Sequence, residues 1–309
     1  MTSDPTSASF SFRDLIGALR PKQWTKNAIV FAAFFFALGD RTQAVPFRLL
    51  APISLAAALF CVVSSAVYIL NDIRDIPADR RHPVKRARPI PAGRFPLPAA
   101  WATALILLAV GLAAAAWLSR PFLLVLIVYV LLQVFYNLWL KQVPLVDIFV
   151  IAAGFVLRAL AGGAVARVHI SPWLVLCTLL LALFLVLCKR RHEKVLLDDG
   201  AEEHRPVLEQ YDRRLLDQLI AIVSAATVVS YAIYTLWPDT VAKFGSARLS
   251  LTVPFVLFGV FRYLDLVYRH DQGGSPEEIL LTDAPLLADI ALYGITVICI
   301  FACRNVAFF

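Results

Sequence analysis

Nine runs of apolar residues set the terms for this chain: 24–39, 49–70, 97–118, 122–140, 143–165, 172–188, 218–237, 249–264 and 284–303. A helix needs about 20 mostly apolar residues to cross a bilayer. Inside hydrocarbon only helices and closed barrels satisfy their own backbone. The runs are continuous, whereas barrel strands would alternate over segments of about ten residues. A barrel is therefore excluded. So are a soluble domain and a disordered chain, because 60% of the 309 residues are apolar and only 17% charged, against roughly 45–50% and about 25% in soluble domains. The five cysteines lie in or beside the runs without a C-x-x-C pair, and read as buried thiols rather than a redox or zinc site. The expectation is an all-α integral membrane protein with nine transmembrane helices. It would form a single domain over 1–309, with 1–20 as a polar N-terminal segment.

Charge gives the expected orientation. With the N-terminus in the cytoplasm, 20 of the 29 Lys and Arg fall on the inner side and 7 on the outer, with Arg158 and Arg262 inside spans. That asymmetry follows the positive-inside rule. It puts the two long polar segments, 71–96 and 189–217, on the cytoplasmic face of a cell membrane.

The first of these segments carries chemistry. The second run ends in Asn71-Asp72-Ile73-Arg74-Asp75-Ile76-Pro77-Ala78-Asp79. Read as helix, Asp72, Asp75 and Asp79 share one face, with Asn71 four residues before Asp75. Carboxylates this close repel unless a cation sits among them. Hard oxygen donors suit Mg²⁺, which also takes phosphate oxygens from a substrate. Pro77 interrupts regular helix, so Asp79 is expected on a bent turn. The chain continues Arg80-Arg81-His82-Pro83-Val84-Lys85-Arg86-Ala87-Arg88-Pro89-Ile90-Pro91-Ala92-Gly93. Basic side chains beside an acidic metal site suit a phosphorylated ligand. Positive-inside anchoring accounts for the basic residues equally well.

Together these two stretches resemble the UbiA family of intramembrane prenyltransferases, and the resemblance extends over nearly the whole chain. It implies a helical bundle around a central cavity open to the cytoplasm, where Asn71, Asp72, Asp75 and Asp79 hold Mg²⁺ and a diphosphate. The chain departs from the family in its second polar segment. A second Asp-rich motif belongs there, but this chain reads Cys188-Lys189-Arg190-Arg191-His192-Glu193-Lys194. Asp198, Asp199, Glu202 and Glu203 come later and read as a solvated acidic patch. One metal site facing a basic one points to two different anions. With Leu19–Asn27 and Tyr136–Lys141, the chain looks like the branch that transfers 5-phosphoribose from phosphoribosyl diphosphate to a polyprenyl (decaprenyl) phosphate. That branch supplies lipid-linked arabinose for cell-wall arabinan.

The resemblance then implies roles. Asp72, Asp75 and Asp79 are catalytic through the metal. Lys22, Lys26, Arg80, Lys85 and Arg88 are phosphate ligands. Lys141, Lys189, Arg190 and Arg191 meet the lipid phosphate. Tyr136 and Asn137 order the ribose or its 5-phosphate, and Arg158, a charge inside a span, serves the cavity. The partners expected are the two substrates and membrane lipids, not nucleic acid, and self-association into a homo-oligomer is compatible with the pattern.

Two alternatives stand beside this reading. One is a prenyltransferase of the same family that moves a prenyl group from its diphosphate to an aromatic or glycerol-phosphate acceptor, with Glu193 and Asp198 as further metal ligands. The other is a secondary transporter. It is disfavoured because the polar residues gather at helix ends rather than at the midplane.

Overall fold

The computed structural model describes residues 11–43, 45–82, 84–198, 206–270 and 272–302. Pro83, Asp199, Glu202, Glu203, His204 and Cys303 lie outside the described residues, as does the side chain of Asp198. The described chain is helical, in the order α1 (Phe12–Leu19), a 3-10 stretch (Pro21–Phe31), α2 (Ala32–Gly39), α3 (Leu50–Arg74), α4 (Ile76–Asp79), α5 (Leu97–Leu118) and α6 (Arg120–Leu138). It continues with α7 (Val146–Ala166), α8 (Pro172–Asp198), α9 (Pro206–Glu209), α10 (Arg213–Leu236), α11 (Pro238–Phe244), α12 (Val253–Arg269), α13 (Pro276–Thr282) and α14 (Ala284–Ala302).

Among the described residues, eight helices are long and apolar enough to cross a membrane. They correspond to the second through ninth expected spans. The first expected span is built differently, as the 3-10 stretch running into α2. Lys22, Gln23, Lys26 and Asn27 sit in its opening turns and reduce its apolar length. A further difference concerns the second polar segment, expected as a loop from 189. Helix α8 continues to Asp198. Its 27 residues span about 40 Å, some 10 Å more than a hydrocarbon core.

Helix α7 is the centre of the bundle. Its residues join two hydrophobic cores, one shared with α8, α10, α12 and α13, the other with α2, α3, α5, α6 and the 3-10 stretch. Small residues let its neighbours approach closely. The tightest approach is at Gly162, where a Cβ would lie 1.7 Å from the Val30 carbonyl oxygen. Only glycine fits there, and the contact seats the 3-10 stretch against α7. A third core, of Ala18, Ile69, Ile90, Phe95, Ala100 and Ala104, packs α1 and the proline-rich loop onto α3 and α5. This core holds the Asn71–Asp79 segment at one end of the bundle, called here the motif end.

Candidate active site

Helix α3 stops at Arg74, with Asp75 as its C-cap, and α4 restarts at Ile76 with Pro77 in its first turn. Proline has no N–H to donate and tolerates the first turn of a helix. Pro77 divides α3 from α4, yet the Asp75 and Asp79 N–H groups still donate to the Asn71 and Asp75 carbonyls at 2.9 and 2.8 Å, so Asp79 stays near Asp72. The four oxygen donors expected to share one face do not form a ready cage. Among the described residues, no three His, Cys, Asp or Glu side chains stand close enough to hold a metal ion.

Cations occupy the carboxylates instead. Asp72 is almost fully buried, and its Oδ1 meets both Arg20 and Arg88. Arg88 Nη1 lies 3.0 Å from Asp72 Oδ1 and also 3.0 Å from Asp79 Oδ2. Asp75 pairs with Lys141. Burial and the neighbouring Arg20 lower the affinity of Arg88 for its proton, and the two carboxylates oppose that. Two carboxylates on separate elements thus converge on a single positive nitrogen. Hard anionic oxygens around one cation are the donor chemistry of Mg²⁺, so the residues fit that ion once Arg88 turns aside.

Arg20 joins this cluster, which the Asn71–Asp79 motif did not reveal. It has φ 53° and ψ 62°, the left-handed region that costs a non-glycine residue about 1 kcal/mol or more. That turn ends α1 and starts the 3-10 stretch. Its guanidinium also lies over the Tyr68 ring, 5.2 Å from the centroid. His82, assigned no role from sequence, is buried and its Nδ1 accepts the backbone N–H groups of Val84 and Lys85, each at 3.1 Å. It folds the loop that delivers Arg88. Arg80 is exposed and donates to the Pro91 carbonyl at 3.0 Å, while Lys85 is half-buried and Lys22 is exposed.

A cavity of about 660 Å³ lies beside this cluster, not around it. Its walls come from Ile29, Phe36, Phe155, Leu181 and Tyr234 among others, with Lys26 and Glu277 at one end and Asp40 and Lys243 at the other. None of Asn71, Asp72, Asp75 and Asp79 lines it. Of the expected ligands Lys26 does. Glu277, on α13, was not anticipated. The only sequence signal was the acidic pair after Pro276.

The remaining basic candidates are tied into the protein. Arg190 is 1% exposed, and its Nε donates to Asp147 Oδ2 at 2.8 Å and its Nη1 to Glu193 Oε2 at 2.6 Å. Its Nη2 reaches the Tyr136 hydroxyl at 3.5 Å, and Asn137 is half-buried beside that tyrosine. Asp147 is fully buried and also accepts from the Tyr211 hydroxyl at 2.7 Å, which itself accepts from the Leu145 N–H at 2.6 Å. That pair of bonds holds Leu145 at φ 66°. Burial, together with the hydrogen bond to Asp147, raises the pKa of the Tyr211 hydroxyl. Arg191 pairs with Asp217 at 2.6 Å and lies over the Tyr268 ring. Arg158 donates to Asn27 Oδ1, the Gly154 carbonyl and the Tyr129 hydroxyl, and its guanidinium lies over the rings of Phe60, Tyr129 and Phe155. Arg158 therefore joins α6, α7 and the 3-10 stretch, and is absent from the cavity wall.

Comparison with known proteins follows the same lines. The profile described as the UbiA prenyltransferase family matches residues 27–277. The decaprenyl-phosphate phosphoribosyltransferase of Corynebacterium glutamicum is 37% identical over 279 residues, covering 88% of this chain and 82% of that one. The protein of the same name from Mycobacterium tuberculosis is 35% identical over 289 residues, covering 92% and 94%. Among solved structures, a UbiA homolog from Archaeoglobus fulgidus bound to GPP and Mg²⁺ aligns over 94% of this chain and 99% of that one, with a TM-score of 0.69 and 18% identity.

Proposed function

The chain belongs to the UbiA prenyltransferase family of membrane transferases, and we propose that it moves 5-phosphoribose from phosphoribosyl diphosphate to a polyprenyl phosphate such as decaprenyl phosphate, releasing diphosphate. The observation that carries this reading is the path of the chain from Arg20 to Lys26. Arg20 meets Asp72 in the carboxylate cluster, and Lys26 lines the apolar cavity. The six residue steps from one to the other rise about 12 Å as a 3-10 stretch. One end suits a highly charged diphosphate, and the other suits a phosphate that carries a long apolar tail. The names of the relatives at 35% and 37% identity support the same pair of substrates. In this reading the Lys- and Arg-rich motif end faces the cytoplasm at the plasma membrane. The product is the precursor of lipid-linked arabinose for cell-wall arabinan.

Asp72 and Asp79, with Asp75 and Asn71 beside them, would hold Mg²⁺, which when bound supplies Lewis-acid stabilisation of the departing diphosphate. Arg20 and Arg88 bind donor phosphate oxygens when their carboxylates turn to the cation. Lys22, Arg80 and Lys85 form the basic rim around that position. Lys26 holds the acceptor phosphate, and Lys189 adds positive charge near the same end of the cavity. Asn137 is the candidate for ordering the ribose, since Tyr136 is engaged by Arg190. An oxygen of the lipid phosphate attacks C1, the C1–O bond to diphosphate breaks, and C1 inverts. A phosphate monoester is anionic at neutral pH, so no strong base is required. Rate then comes from positioning and charge stabilisation.

The test is transfer by the purified full-length chain from radiolabelled phosphoribosyl diphosphate to polyprenyl phosphate. Labelled lipid should appear only with both substrates, vanish with a chelator and return with Mg²⁺. No labelled lipid under any of these conditions would refute the reaction. Full turnover in the chelator would refute the metal.

A further inference from the structure

Glu277 is a buried carboxylate where a site for anions has no obvious use for one. Its side chain is 9% exposed, and it lines the end of the cavity together with Lys26. Oε1 accepts from Gln23 Nε2 at 2.6 Å. Oε2 lies 3.6 Å from Lys26 Nζ and accepts no hydrogen bond. Burial pushes the carboxyl up, but Lys26, the Gln23 hydrogen bond and Lys189 together outweigh it and hold Glu277 below its ordinary range. It is therefore ionised at neutral pH and can only accept hydrogen bonds. Lys26 and Glu277 thus form the polar end of an apolar cavity, and Lys189 on α8 acts on the carboxylate from outside the cavity wall.

We propose that Glu277 makes this end of the cavity selective for lipid monophosphates over lipid diphosphates. The inference rests on the reading of the cavity as the lipid site. A polyprenyl phosphate and a polyprenyl diphosphate share one tail, so the apolar walls cannot tell them apart. Discrimination falls to the head-group. Two lysines alone would favour the more highly charged diphosphate. A fixed carboxylate paired with Lys26 cancels part of that charge, which matches a monophosphate and repels the additional phosphoryl group. The protonated fraction of a phosphate monoester also has an O–H to offer to Oε2. Selection of this kind works by penalising the wrong ligand rather than by strengthening the right one. It keeps lipid diphosphates, which share the acceptor's tail, out of the acceptor position.

Equilibrium binding of farnesyl phosphate and farnesyl diphosphate to the purified full-length chain tests this, with EDTA present so that metal at the aspartates contributes nothing. The native chain should bind the monophosphate about tenfold more tightly. Glu277→Gln, which keeps the Gln23 bond, should narrow that ratio at least fivefold, chiefly by tightening the diphosphate. Glu277→Asp should retain most of it. If Glu277→Gln fails to fold, Lys26→Gln/Glu277→Gln compared with Lys26→Gln alone makes the same comparison without an unpaired lysine at 26. A ratio unchanged on loss of the carboxylate, including equal weakening of both ligands, overturns the proposal. Because binding is read without phosphoribosyl diphosphate, the outcome is independent of whether the transfer assay succeeds.

Discussion

Replacement of Arg190 separates a ligand role from a structural one. The side chain is 1% exposed, and the carboxylate it meets, Asp147, is fully buried. Arg190→Met preserves volume but leaves Asp147 with the Tyr211 hydroxyl as its remaining side-chain partner. Removing one member of a buried ion pair costs about 3–5 kcal/mol, because the other charge is left uncompensated. In a chain of this length each kcal/mol moves the melting temperature by roughly 2 °C, so a fall of about 6–10 °C is expected. Asp147→Asn should cost a similar amount. The double variant Arg190→Met/Asp147→Asn removes both charges and should recover at least half of the summed loss, since contacting residues are not additive. Thermal unfolding in detergent, followed by size-exclusion chromatography, reads all three. If Arg190→Met melts within about 1 °C of the native chain and instead raises KM for the lipid acceptor alone, the reasoning fails and Arg190 is a substrate ligand.

Three further outcomes are expected. Asp75→Ala, at a half-buried position, should reduce transfer at least a hundredfold while the elution profile and helical circular dichroism stay native; unchanged turnover would remove Asp75 from the site. Gly162→Ala places a Cβ 1.7 Å from the Val30 carbonyl oxygen, so the 3-10 stretch must separate from α7. A loss of about 3 kcal/mol or more, or failure to recover folded protein, should follow. The folded pKa of Glu277 lies below its ordinary value of 4.5. Its contribution to stability is therefore complete above pH 4.5 and is lost as pH falls through the depressed value. The melting temperature of the native chain should fall between pH 5 and pH 3 by more than that of Glu277→Gln, and parallel profiles would contradict this.

Much of the fold was legible because the bilayer imposes length and polarity on each helix separately. The second through ninth apolar runs became membrane-length helices on that ground alone. The Asn71–Asp79 segment could be picked out too, since oxygen donors at helical spacing beside a basic loop stand apart from the apolar runs, and the structure brings Asp72 and Asp79 together there. What the sequence did not carry was the pairing between segments. Arg190 and Arg191 belong to a basic run whose loop-like polarity hid the fact that α8 continues, and their partners Asp147 and Asp217 lie on other helices. Arg20 lies in the Leu19–Asn27 stretch but had no role assigned to it, and Glu277 stands in no motif. Arg20 reaches Asp72 from 52 residues away, and Gln23 meets Glu277 across 254. Local pattern thus determined which segments are long and apolar enough to cross the membrane and which carry clustered charge. Only the packed bundle decided which charges neutralise one another in the interior and which line the cavity, because a buried charge is stable only beside its partner, and that partner is chosen by the way the helices meet.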